Sequence, residues 1–168
     1  KLYEDRGFTH VKQLYNGIVL PKEYKKVPEN HSILYVGRLA PEKGAQYAVR
    51  AMPYVIKQIP DAKLTIVGDG PHLNYLNVLS DTLGMSDHIT FTGKVPNTKT
   101  GEYYDNAQVV VVPSTYPDNL PTVCIEAMLH GRPVVVSDIG GLPEMVENGY
   151  NGYTVPPGDE KKLAEKII

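Results

Sequence analysis

The chain has no tryptophan and one cysteine, Cys124, so an internal disulfide is excluded and a reducing compartment is favoured. Long apolar runs are also missing. The longest, VVVV at 109–112, is far too short to span a bilayer. No signal-peptide pattern opens the sequence, and the lack of an initiating Met leads us to expect a fragment. Neither sign of charge dominates. A net charge of −2 argues against a nucleic-acid partner bound by broad phosphate neutralisation, while leaving room for one local basic pocket. The histidines, His10, His31, His72, His88 and His130, are scattered, and none stands at metal-ligand spacing from a cysteine or carboxylate, so no metal is expected. The sequence has no G-x-G-x-x-G, no Gly-Lys-Ser/Thr, no G-x-S-x-G and no Ser-His-Asp pattern. Twelve tyrosines do not cluster on adjacent strands, as a stacking platform would require. Internal repeats, low-complexity segments and a second-domain boundary are absent as well.

What is present is an alternation of short β-branched runs and amphipathic segments. The 168 residues suffice for one domain with a full core, and 42% hydrophobic with 21% charged residues is ordinary for a soluble globular protein. Strands are expected at 11–15, 32–37, 63–68, 88–93, 108–113, 133–137 and 152–155. Helices are expected at 44–59, 71–83, 98–106, 121–130 and 159–168. Several strands read as near-continuous apolar runs, as strands covered on both faces do. The alternation predicts an α/β, Rossmann-like, doubly wound parallel sheet filling residues 1–168 as one domain. Pro53 falls inside the first helical pattern and is expected to kink or break it. GDGP at 68–71 reads as a tight strand-to-helix turn.

Two segments carry the chemistry: YVGRLAPEKG at 35–44 and PSTYPDNLPTVCIEAMLHGRPVVVSDIGGLPE at 113–144. Each runs from a buried strand through a punctuated loop into a helix start, so both loops should meet at the carboxyl edge of the sheet, where ligands bind. At Gly37 no Cβ blocks a ligand from the backbone. Arg38 follows with a planar fork suited to phosphate, and Lys43 adds a mobile point charge where the next helix begins. In the second segment Pro121 suits a first helical turn, with Asp118 or Asn119 as its cap. The amides of Leu120, Thr122 and Val123 would then form an anion site at the helix end. Glu126 lies one turn beyond Thr122, where a carboxylate accepts hydrogen bonds from vicinal hydroxyls such as those of a ribose. Its neighbours are apolar on nearly every side, which makes an unpartnered carboxylate costly. A third strand end, Thr92, Gly93, Lys94 and Val95, could frame a flat base or be a plain turn. Cations at one end and carboxylates at the other suit a sugar nucleotide.

The run from Pro113 to Asp159, with QLYNGIVL (13–20) and YVGRLAPEKG, resembles the nucleotide-sugar-dependent glycosyltransferases of the GT-B fold, and more narrowly the retaining glycosyltransferase family 4. That group carries two acidic residues with seven residues between them, which here fall on Asp118 and Glu126. The usual first residue is Glu, and Asn119-Leu120-Pro121 stands where many members have Pro-Phe-Gly. The resemblance implies the C-terminal, donor-binding half of such an enzyme, with the acceptor-binding N-terminal half absent. It implies that Arg38 and Lys43 hold the diphosphate, that Glu126 holds the ribose, and that Asp118 lies near the sugar hydroxyls. The amides of 120–123 would touch the phosphates or sugar, and the turn at Thr92–Val95 would frame the base. It further implies a hexosyl unit, mannosyl or glucosyl among the options, moved from a nucleoside-diphosphate sugar to an acceptor hydroxyl with retention. Neither cofactor nor metal is expected. The acceptor, a glycan, lipid or small molecule, would be bound by the other half, so the isolated domain is expected to be inactive. The expected location is the cytoplasm, or the inner face of the membrane as a peripheral protein. Two competitors remain: a nucleotide-sugar epimerase on the same scaffold, and a non-catalytic nucleotide-binding domain.

Overall fold

The computed structural model describes residues 25–117 and 121–168. The strand expected at 11–15 and the candidates Asp118, Asn119 and Leu120 lie outside the described residues. Among the described residues six parallel strands form one sheet: β1 (Ser32–Val36), β2 (Lys63–Val67), β3 (Ile89–Gly93), β4 (Val109–Val112), β5 (Val134–Ser137) and β6 (Gly152–Val155), in the order β3-β2-β1-β4-β5-β6. Between and after them run α1 (Ala45–Ile56), α2 (Leu73–Thr82), α3 (Asn97–Asn106), α4 (Thr122–Leu129) and α5 (Glu160–Ile167). The order is that of the Rossmann-like doubly wound sheet, and its direction reverses between β1 and β4.

The apolar runs have a simple cause. Successive strand residues point to opposite faces, and both faces are buried. Ile33, Tyr35, Val111 and Val135 join one core with α1, α2 and α5. Leu34, Val110, Val112, Val134 and Val136 join the other with Tyr104 of α3 and with Cys124 and Ala127 of α4. A strand with two buried faces has no polar positions to alternate with.

Of the two outcomes expected at Pro53, a kink or a break, the break does not occur: α1 runs as one element from Ala45 to Ile56. Proline removes one backbone donor, at a cost of about 3 kcal/mol in a helix interior. Against that stand Ala48, Val49, Ala51, Met52 and Val55, all buried in the core on either side of it. Tertiary burial on this scale overrides local propensity, at roughly 1.5–3 kcal/mol per large side chain.

One buried charge ties the sheet to the chain that precedes it. Arg132, in the turn between α4 and β5, is 1% exposed. Its guanidinium donates to the carbonyl oxygens of Lys25 at 2.9 Å and Lys26 at 3.2 Å. Burial pulls its pKa down, opposed by the nearby Asp105 carboxylate.

Candidate functional site

The reversal of strand order opens a crevice at the carboxyl ends of β1 and β4, and the loops that leave these strands build its walls. After β1 the chain passes Gly37 and Arg38 into a 3-10 turn, Pro41–Lys43, and then into α1. The turn is pinned from several sides. The Gln46 amide donates to the Pro41 carbonyl at 2.9 Å. The Tyr35 hydroxyl donates to the Arg38 carbonyl at 3.1 Å. The Thr115 amide, from the loop after β4, donates to the Glu42 carbonyl at 2.9 Å. Gly44 sits at φ +77, with the position of an absent Cβ only 1.7 Å from the Pro113 carbonyl oxygen. Only glycine lets the two loops approach this closely.

The result is a cleft of about 410 Å³ whose wall includes Gly37, Arg38, Lys43, Ser114, Pro121, Thr122 and Val123. Arg38 is exposed, and among the described residues its guanidinium makes no hydrogen bond or ion pair. Lys43 is half-buried. Opposite them α4 begins at Thr122 with Pro121 as its cap and no side chain capping it. First-turn amides have no acceptor inside their own helix, and the helix dipole is positive there. Two cations and a helix start therefore share one cleft, a charge arrangement that suits an anion.

A second depression, of about 430 Å³, continues from the first. It shares Val36, Thr122 and Val123 with it and adds Asn97, Thr100, Gly101, Tyr104, Glu126 and His130. Glu126 reaches it from α4, one turn after Thr122. The Tyr104 hydroxyl donates to Glu126 Oε2 at 2.9 Å, so the carboxylate has the specific partner its apolar surroundings demand. His130 stacks on Tyr104 with ring centroids 5.3 Å apart. Its Nδ1 lies 2.7 Å from Asp105, whose other oxygen is 2.6 Å from Lys25 Nζ.

A third depression lies on the β2 side of Val36 and Gly37, lined by Arg38, Gly68, Asp69, Gly70, Lys94, Val95 and Asn97. Lys94 and Val95 thus border the same continuous surface as Arg38. Thr92 is turned away: its hydroxyl donates to its neighbour's carbonyl, Gly93, at 3.0 Å, and more weakly to Ile66 at 3.4 Å. Gly93, at φ +71, makes the turn itself. The segment 68–70 does more than turn the chain, because it forms part of the wall. The single thiol lines none of these depressions: Cys124 is buried, and burial pushes its pKa up to about 12.

The groups that spacing did not reveal are Tyr104, Asp105, Asn97 and the Asp69 turn. The helical pattern at 98–106 was legible, but which of its side chains reaches α4 was not.

Asp105 makes the network sensitive to acid. Burial raises its carboxyl pKa, but the Lys25 ammonium and the His130 ring outweigh burial and hold it below its ordinary value. A carboxyl depressed in the fold contributes stability above its unfolded pKa of about 3.9, and that stability is lost as pH falls through the folded value. Asp105→Asn should therefore melt below the native protein at pH 7, and the gap should close below about pH 4. A gap that stays constant in melts from pH 7 to pH 2 would exclude this coupling.

Among the described residues, no group of three His, Cys, Asp or Glu side chains is placed to hold a metal ion. No described helix is long and apolar enough to cross a membrane.

Comparison with known proteins adds to the geometry. Residues 19–168 match the family model described as glycosyl transferases group 1. An uncharacterized glycosyltransferase of Methanocaldococcus jannaschii is 41% identical over 132 residues, covering 79% of this chain and 33% of the relative. A GDP-mannose-dependent alpha-(1-6)-phosphatidylinositol monomannoside mannosyltransferase of Mycobacterium tuberculosis is 31% identical over 154 residues, covering 88% of this chain and 40% of the relative. The crystal structure of Anabaena HepE in complex with UDP superposes with a TM-score of 0.76 at 29% identity, over 84% of this chain and 39% of that one. The chain thus spans about 33–40% of the length of these proteins.

Proposed function

The chain belongs to the group 1 glycosyl transferases, and on that premise we propose that it is the donor-binding half of a retaining GT-B hexosyltransferase. The observation that carries this reading is the shared cleft at the strand-order reversal, where Arg38, Lys43 and the start of α4 converge. Carboxyl-edge crevices at such reversals are where open α/β sheets bind ligands. The three depressions, joined at Val36, match the three parts of a sugar nucleotide. Arg38, Lys43 and the first amides of α4 take the diphosphate. Glu126 accepts hydrogen bonds from the ribose hydroxyls. Lys94 and Val95, with Asn97 beside them, border the base, and the turn at Thr92 and Gly93 shapes that edge. Asp118 is assigned to the sugar hydroxyls by resemblance, and the Leu120 amide to the phosphates or the sugar.

In the reaction the bond between the anomeric carbon and the diphosphate oxygen breaks, and its electron pair leaves with the diphosphate. Negative charge therefore develops where the two cations and the helix end already stand. Preorganised charge of this kind stabilises the transition state without a divalent metal. The acceptor hydroxyl oxygen then bonds to the anomeric carbon, and its proton is taken up by the departing diphosphate. One relative named above is GDP-mannose-dependent, and the structural neighbour was solved with UDP. Mannosyl and glucosyl donors are therefore the first to test.

Calorimetric titration of UDP, GDP and the two bare nucleosides tests the reading. The native chain should bind at least one diphosphate more tightly than its nucleoside. Arg38→Ala and Lys43→Ala should each weaken diphosphate binding by about 1.5–3 kcal/mol, the scale of a hydrogen bond to a charged group, and leave the nucleoside nearly unchanged. Equal losses for nucleoside and diphosphate would refute the phosphate assignment. No binding of either diphosphate by the native chain would refute the donor site.

A further inference from the structure

We propose that Tyr104 is a positioning residue that holds the Glu126 carboxylate in the orientation needed to receive the ribose hydroxyls; this rests on the donor-site reading above. The phenol is 1% exposed, so it takes little part in covering the ligand itself. Its hydroxyl makes one hydrogen bond among the described residues, to Glu126 Oε2 at 2.9 Å. A glutamate on a helix has three rotatable side-chain bonds, and ordering them on ligand binding costs affinity. A donor fixed in the core orders them beforehand. The bond does not consume the carboxylate, because each oxygen has two lone pairs, so Oε2 can accept from Tyr104 and from a ribose hydroxyl together.

The donor is itself held rigid. Its ring packs in the core with Leu34, Val110 and Ala127, and His130 stacks on it at an interplanar angle of 23°. His130 is in turn fixed by Asp105, and Asp105 by Lys25. Protonation is equally secure. Burial, and then the adjacent Glu126 carboxylate, raise the Tyr104 pKa well above its ordinary value, so the phenol donates throughout the neutral range. Tyr104 and Glu126 sit on different helices, α3 and α4, so the bond also fixes the distance between the two walls of the depression.

The test is a mutant cycle read by calorimetry with UDP, or GDP where the native chain binds it more tightly, and the 2′,3′-dideoxy counterpart of the same nucleotide. Tyr104→Phe keeps the ring and its stacking, so the melting temperature should fall by only a few degrees. Its affinity for the ribonucleotide should fall about five- to tenfold, the loss of one hydrogen bond's worth of ordering, with the dideoxy compound unchanged. Glu126→Gln should lose at least as much for the ribonucleotide. Adding Tyr104→Phe to Glu126→Gln should cost nothing further. If Tyr104→Phe weakens both nucleotides alike, or neither, Tyr104 only fills the core and the proposal falls. If Glu126→Gln leaves the preference for the ribonucleotide intact, the ribose assignment of Glu126 falls instead, and the positioning role with it.

Discussion

Gly44→Ala should lower the melting temperature by roughly 5–15 °C and weaken diphosphate binding in the protein that remains folded. Two costs add. The left-handed conformation at φ +77 costs an L-residue about 1–2 kcal/mol. A methyl placed 1.7 Å from the Pro113 carbonyl oxygen cannot be accommodated without moving backbone, and overpacking of this kind costs about 1–3 kcal/mol more. The backbone that must move is the junction between the 3-10 turn and the loop after β4, so Lys43 shifts away from α4. Gly131→Ala is the control. Gly131 has φ +68 but no neighbouring heavy atom within 4 Å of its absent Cβ, so it bears the first cost alone. Thermal melts of the two variants separate the costs. Equal drops at both positions would mean that the contact with Pro113 is not tight.

Arg132→Ala should destabilise the fold by about 2–5 kcal/mol, the range for truncating a large buried side chain. The carbonyls of Lys25 and Lys26 lose their donors, and the space of a fully buried side chain is left empty. Arg132→Met should cost less, about 1–3 kcal/mol, because it refills most of the volume and removes a charge that burial already disfavours. Denaturant titration at pH 7 measures both. Indistinguishable midpoints for Ala and Met would show that volume plays no part, and an Ala variant within 1 kcal/mol of native would show that the clamp is idle.

The fold was legible because its signals are local. VVVV at 109–112 and VVVS at 134–137 are uniform because both of their faces are covered, and that is visible in a few consecutive residues. Helix starts near Gly44 and Pro121 announced themselves through backbone chemistry. The placement of Arg38, Lys43 and Glu126 on one edge followed from topology alone. What was not legible lies between residues far apart in sequence. Tyr104 and Glu126 are 22 positions apart, and Asp105 and His130 are 25 apart. Nothing in either segment marks the other. Metal-ligand spacing among histidines does not reveal a pair such as His130 with Asp105. Segment 68–70 looked like an ordinary turn because its role depends on close approach. A Cβ on Gly68 would lie 1.9 Å from the Gly37 carbonyl oxygen, and that proximity brings the turn to the cleft wall. Pro53 failed as a breaker for the converse reason: a local rule lost to distant packing.

The pairing of β1 with β4 is the seam of the molecule. β1 and β2 are in register at five positions, whereas β1 and β4 are in register at only two, Ile33 with Val109 and Leu34 with Val110. Each side of the seam is continuous in sequence, β1 to β3 on one and β4 to β6 on the other. A diphosphate held as proposed, by Arg38 and Lys43 from one side and by the start of α4 from the other, would cross that seam as a strut. On the donor-site reading, occupancy of the cleft should therefore add a third tie across the seam, beside the strand pairing and the packing of α1 on α5.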